Sequence, residues 1–317
     1  VATELQGVRV LVPVTITSAM LKTGTTLAEP DLPTGEVAWV AANTYAVGDS
    51  RTYDGVIYDC VRTVNPARST IPKEDAQYWT PMGPTARMAP FDDYGTTTAK
   101  ATGTLRYVIQ PGGLITGSQA YNLQGDTYQY DIYDDLGGTL LKRKTGSLYA
   151  QAAGLWELLF EPLPKVNRIT IEDFPMAPKA VVDVRVTSLS ALVPAKIGDI
   201  KVGSWRFLAV DAKWGRPEYG ASMERKSNAY RKDNKDGTYS LVRRPSYREV
   251  SFTAILPPEQ AMYADAVLEE ITDVAVPVEV VNLPQYDYLN TIGFVSGTVK
   301  ADNYGETVLD LKVRGNI

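Results

Sequence analysis

The sequence contains no histidine. That absence removes Ser-His-Asp and Cys-His catalysis, His-ligated zinc, and the side chain that most easily acts as a general base near neutral pH. It leaves open glycosidase chemistry, which needs only two carboxylates. There is one cysteine, Cys60, so no intramolecular disulfide can form and the disulfide-stapled secretory class is excluded. Cys60 reads as a small buried strand residue. No run approaches the ~20 apolar residues needed to span a bilayer, so membrane insertion is not expected. The opening residues VATELQGVRV lack a basic segment followed by an apolar one. From that, a soluble chain made in the cytoplasm is expected. Basic residues are not in excess either: 32 Lys+Arg stand against 37 Asp+Glu, a net charge of −5. Phosphate neutralisation is therefore not the main job, and no nucleic-acid partner is expected. Phosphate-cradling loops of the G-x-x-x-x-G-K type and a repeat period are also missing.

What is present is a chain of 317 residues, 44% of them hydrophobic, long enough for two or three domains. Its organising stretch is 36–91. Aromatics punctuate it at Trp39, Tyr45, Tyr53, Tyr58, Tyr78, Trp79 and Phe91. Turn residues separate them: Asn43, Gly48-Asp49, Asp54-Gly55, Asn65-Pro66 and Pro72. Short extended runs fit around 45–47, 50–53 and 56–64, and Asp54-Gly55 signals a hairpin because both residues tolerate positive φ. A core this small is marginal alone. The module must lean on a neighbour or use its aromatics as packing material.

Before the module, 7–18 alternates as a strand, with Pro13 suiting an edge, and 19–35 reads as a linker arm. After it, 92–194 offers strands at 103–110, 113–121, 127–134, 139–145, 155–161, 167–173 and 180–188. Short strands at that spacing mean a β-sandwich. In 127–134, Thr127, Gln129, Asp131 and Tyr133 share one face, with Tyr128, Tyr130 and Ile132 on the other. Residues 195–317 offer strands at 204–211, 238–242, 247–256, 276–281, 291–299 and 306–313. The one convincing helix is 258–272, where Ala264, Val267, Leu268 and Ile271 form an apolar stripe behind Pro257-Pro258. The fold class expected is mainly β with one helix: an arm (1–35), a small aromatic module (36–91), a central sandwich (92–194) and an α+β barrel-like domain (195–317).

Four constellations are candidates for chemistry. Trp39, Tyr45, Tyr58, Tyr78 and Trp79 are a tentative glycan-binding set, since sugars stack their C–H faces on aromatic rings; the competing reading is core. Tyr78 and Trp79 are adjacent, so on a strand they face opposite sides and one of them is core. The acidic pairs Asp92-Asp93, Asp134-Asp135 and Glu269-Glu270 read as solvated loop and helix faces, not as a catalytic dyad. Residues 233–237 fail the calcium-loop spacing and read as a hairpin turn. The basic stretch that includes Arg231, Lys232, Arg243 and Arg244 is interrupted by acids. It reads as a long hairpin making salt bridges between subunits, with a solvated loop as the alternative. No cofactor, metal or catalytic residue is expected.

Two resemblances sharpen this. Trp39, Tyr45-x-x-Gly48-Asp49, Gly55-x-x-Tyr58-x-Cys60 and Tyr78-Trp79 resemble small carbohydrate-binding modules of the type-three chitin-binding class. Ser50-Arg51 departs from that pattern where a Val is common, and the 63–75 linker is longer. The continuation Gly83-Pro84-Thr85-Ala86-Arg87 to Phe91-Asp92 is similar to proteins of tailed phages and prophages. So is the segment Tyr219-Gly220-Ala221 through Tyr230-Arg231-Lys232-Asp233. The order of strands and helix in 195–317 looks like ring-forming tail-tube and tail-tip domains. The resemblance implies a non-enzymatic structural protein of the virion, at the tail tip or baseplate. Its implied partners are other tail proteins, copies of itself in a ring, and host-surface glycan. Two alternatives remain: a lectin without an assembly role, and a two-carboxylate glycoside hydrolase.

Overall fold

The structure, a computed structural model, describes residues 6–315 except 94–96, 151–153, 162, 164, 173, 175–176, 210–214, 234–236 and 245. The chain separates into two units, residues 1–13 with 203–317 and residues 14–202. Strand β1 (Arg9–Pro13) opens the first unit. The second holds β2 (Ser50–Tyr53), β3 (Val56–Cys60), β4 (Trp79–Pro84), β5 (Ala99–Ala101), β6 (Thr104–Ile109), β7 (Gly117–Tyr121), β8 (Thr127–Tyr133), β9 (Leu140–Ser147), helix α1 (Leu155–Phe160), β10 (Arg168–Glu172), β11 (Val181–Thr187) and β12 (Ala195–Ile197). Strand β13 (Asp199–Phe207) begins in the second unit and ends in the first. The first unit continues with β14 (Ser222–Ser227), β15 (Tyr230–Asp233), β16 (Tyr239–Val242), β17 (Ser246–Leu256), α2 (Ala261–Glu270), β18 (Ala275–Glu279), β19 (Thr291–Asn303) and β20 (Glu306–Gly315). The molecule is mainly β, as the alternating patterns predict.

The second unit is a β-sandwich with the aromatic module attached. One sheet runs β6–β11–β8–β9, every pair antiparallel. Facing it are β10, β7 and the opening residues of β13. Leu105, Tyr107 and Ile109, Val182, Val184 and Val186, and Tyr130 and Ile132 point inward from the first sheet. They meet Ala120, Ile169, Ile171, Ile200 and Val202 from the second. Period-2 alternation selects this inward set, while on the other face of β8 and β11 Asp131 and Asp183 are buried as well. On the edge strand β9, Lys142 and Lys144 donate their ammonium groups to the carbonyls of Glu172 and Thr170. Lysines on an edge discourage pairing with another chain.

The module is the three-stranded sheet β2–β3–β4. Asp54 (φ 48°) and Gly55 (φ 81°) make the two-residue turn between paired Tyr53 and Val56, as the sequence predicts. Glu36 accepts the Asp31 and Ala86 amides at 2.8 and 2.7 Å and so ties the module's start to its end. Its last residues dock on the sandwich: the Tyr107 hydroxyl donates to the Arg87 carbonyl (3.1 Å), and Phe91 meets the Tyr107 ring edge-on at 5.5 Å. Arg87 in turn donates to the Leu21 carbonyl (3.1 Å). The Thr85–Phe91 run is thus a clasp between module and sandwich.

The first unit is an antiparallel sheet in the order β13–β1–β18–β19–β20–β17–β14. Gly203 in β13 lets β1 come close, since a Cβ there would sit 1.9 Å from the Val12 carbonyl oxygen. Helix α2 lays Ala264 and Val267 on the sheet, and Ile271 just after it does the same; they join Phe252, Leu309, Leu311 and Val313. The barrel-like form expected for this region is corrected: among the described residues the sheet stays open, with β14 as a free edge. A second difference lies at 155–160, expected as a strand and found as the one-and-a-half-turn helix α1. Short apolar runs carry no period that separates the two.

Candidate functional site

The glycan-type aromatics are mostly interior. Tyr45, Tyr58 and Trp79 are buried with Cys60 and Val64 and form the module's core. Tyr45 and Trp79 pack edge to face at 5.1 Å, and the Tyr45 hydroxyl bonds both the amide and the carbonyl of Val40 at 2.8 Å. These three rings therefore offer no stacking platform, because a small sheet with few aliphatic residues must use its rings for packing. Burial also pushes the Tyr58 hydroxyl and the Cys60 thiol up, so neither is a reactive anion near neutral pH. Trp79 is core, and Tyr78 packs against that core. Trp39 and Tyr78 remain half-buried. Trp39 meets Tyr53 edge to face at 5.6 Å, and Tyr78 lies between Arg62 and Arg68, at 5.4 and 4.4 Å from the ring centre.

The basic stretch is a long hairpin. Strands β14 and β17 pair from Ser222↔Ser251 to Ser227↔Ser246, and β15 and β16 continue it from Tyr230↔Val242 to Asp233↔Tyr239. All of β15 and β16 is exposed. Tyr230, Tyr239, Leu241 and Val242 are between 47% and 58% exposed. Arg231 stacks over Tyr239 (4.4 Å) and pairs with Asp233 (2.9 Å). Lys226 bridges to Glu249 at 2.7 Å. Among the described residues, Lys232, Arg243 and Arg244 make no ion pair. The turn at 234–236 lies outside the described residues.

Three features escaped sequence reasoning. Helix α1 exposes Leu155, Trp156, Leu158, Leu159 and Phe160, each between 57% and 70%. The outer face of the β6–β11–β8–β9 sheet carries an ionic lattice. Asp183 receives two bonds each from Arg106 and Arg185 (2.6–3.1 Å), and Asp131 receives two from Arg143 (2.7 and 2.9 Å). Burial works to raise the Asp131 carboxyl, but its bonds from Arg143, Gln129 and Tyr133 outweigh that and hold it below the usual carboxylate range. Alternating Arg and Asp on neighbouring strands was the available signal, legible only once the strand order is known. Finally, a cleft of about 340 Å³ in the first unit is rimmed by Tyr219, Tyr286 and Tyr288. Among the described residues no group of Cys, Asp and Glu is placed to hold a metal ion, and no helix is long and apolar enough to cross a membrane.

No family model and no curated protein matches this chain. Two solved structures are similar. One is chitosan-binding module 1 of a chitosanase/glucanase from Paenibacillus sp. IK-5. It matches at 15% identity and TM-score 0.24 over 37% of this chain and 83% of that one. The other is a selenomethionine-labelled point mutant of the same module, at 13% identity and TM-score 0.25 over 38% and 84%. Likeness at that level carries no argument about what this chain does.

Proposed function

We propose that this protein is a non-catalytic structural subunit of a tailed-phage virion, at the tail tip or baseplate. In this reading it assembles through the β15–β16 arm, and its aromatic module is free to meet host-surface glycan. The observation that carries it is the arm: a two-stranded ribbon with apolar side chains in water on both faces. A lone ribbon is marginal in water, and exposed apolar patches mark interaction sites. Lys232 in the arm and Arg243 and Arg244 just after it, which make no ion pair among the described residues, supply charge for partner carboxylates. The virion part of the proposal is supported by the motif resemblances at 83–92 and 219–233.

The test is the mass of the purified protein in solution, alone and with other tail proteins, followed by electron microscopy of the species found. A ring, or a species that forms only with a partner and is lost on Val242→Asp, is the expected result. A monomer under all these conditions that binds a glycan array overturns it in favour of a lectin. For that second reading the half-buried Trp39 and Tyr78 are the ring faces available. Loss of glycan binding on Trp39→Ala, with folding unchanged, would be its signature.

A further inference from the structure

Helix α1 is the least accounted-for surface of the second unit. Five of its six residues are large and apolar, all five are more than half exposed, and Trp156 and Phe160 stack on each other at 4.4 Å. A helix apolar on every side belongs in an interior. Six residues are far too few to cross a membrane. The segment 154–161 also contains two glutamates and no lysine or arginine, which works against an anionic lipid surface. The surface that would suit α1 is that of a protein, apolar and basic.

The chain carries such a surface itself. In an antiparallel ribbon, directly paired residues share a face. Tyr230 pairs with Val242 and Lys232 with Ser240, so Tyr230, Val242 and Lys232 lie together on one face of the arm. The other face is already engaged by the Arg231–Tyr239 stack and the Arg231–Asp233 pair. Lys232 makes no ion pair among the described residues, and Glu161, at the end of α1, is exposed. Contact of α1 with α1 of another copy would oppose acid to acid, whereas contact of α1 with the arm opposes acid to base.

We infer that α1 of one copy docks on the Tyr230–Val242–Lys232 face of the arm of a second copy. This rests on the reading of the arm as the assembly element and names its partner. The contact is heterologous: each copy offers two different surfaces. Repeated, it closes into a ring or runs on as a filament.

Sedimentation of the full chain over a range of concentrations tests this, with far-UV circular dichroism confirming that each variant is folded. Self-association is expected in the wild type. Trp156→Ala and Val242→Asp should each weaken it by about 30-fold, as loss of a buried anchor does. Lys232→Glu and Glu161→Lys should each weaken it, and the double variant should recover it. If Val242→Asp dissolves the oligomer but Trp156→Ala does not, and the charge exchange fails to restore it, the arm assembles but α1 is not its seat. If the wild type is monomeric at every concentration, docking between copies is overturned, and the arm is then judged by its partner-dependent species alone.

Discussion

The aromatic module and the arm use the same residue types in opposite ways. In the module, Tyr45, Tyr58 and Trp79 turn into a common interior and leave little of themselves to solvent. In the arm, Tyr230 and Tyr239 stay more than half exposed. Both are small antiparallel sheets. The difference is layering. The module's connections, residues 39–45 and 64–78, send Trp39, Tyr45, Val64 and Tyr78 into or against its core, so its rings have an inside to enter. The arm has two strands, exposed throughout their described residues. An aromatic cluster in a sequence thus signals either a fold or a partner, and the covering layer decides which.

The largest effect that could break this comparison is at Trp79. Replacing a fully packed tryptophan by alanine costs about 3–5 kcal/mol. Trp79→Ala should lower the urea midpoint strongly, with loss of the module's near-UV signal. Equal tolerance of Trp79→Ala and Tyr239→Ala would mean that the module's rings are not its core.

Burial also governs chemistry in the second unit, and Asp199 shows it next. Burial pushes its carboxyl up to about 7; Lys201, 3.6 Å away, pulls it back, and Asp92 and Asp93 push it further. Below the usual carboxylate pKa of about 4 both folded and unfolded states hold the proton, and Asp199 contributes its full stability. Between about 4 and about 7 the unfolded chain loses the proton and the folded one keeps it, so that contribution is lost as pH rises. Denaturation at a series of pH values should show this decline in the wild type and its absence in Asp199→Asn. An unchanged profile in the variant would show that Asp199 is not proton-bearing in the fold.

Trp39 gives a smaller effect and sharpens the line between packing and binding. Its ring is half-buried and meets only the edge of Tyr53 among aromatic rings. Trp39→Ala should cost about 1 kcal/mol, within the range of an aromatic pair. A cost as large as that at Trp79 would place Trp39 in the core and remove it as a sugar platform.

Much of this was legible in sequence, for identifiable reasons. Strands such as 127–133 and 181–187 declared themselves because apolar and polar residues alternate along them, the apolar set facing the core. Helix α2 declared itself through Ala264, Val267 and Ile271. The Asp54-Gly55 turn was legible because its backbone needs positive φ. Exposure of the aromatics was not, since it depends on which connection covers which sheet. Helix α1 was misread because a run as short and as apolar as 155–160 has no period that separates helix from strand. The Asp131 and Asp183 lattice was hidden because its partners come from strands separated by up to 77 positions, Arg106 and Asp183 being the farthest pair.

The smallest effect is expected at Arg231. Its stack on Tyr239 and its pair with Asp233 lie in open solvent. Exposed contacts of this kind contribute well under about 1 kcal/mol each, and salt screens the pair. Arg231→Ala should therefore leave the urea midpoint of the isolated chain nearly unchanged, in low salt and high. A clear loss of stability would mean that the arm is already packed against something in the free chain. The contrast between a module that buries its rings and an arm that saves them for a partner would then fail at its second term.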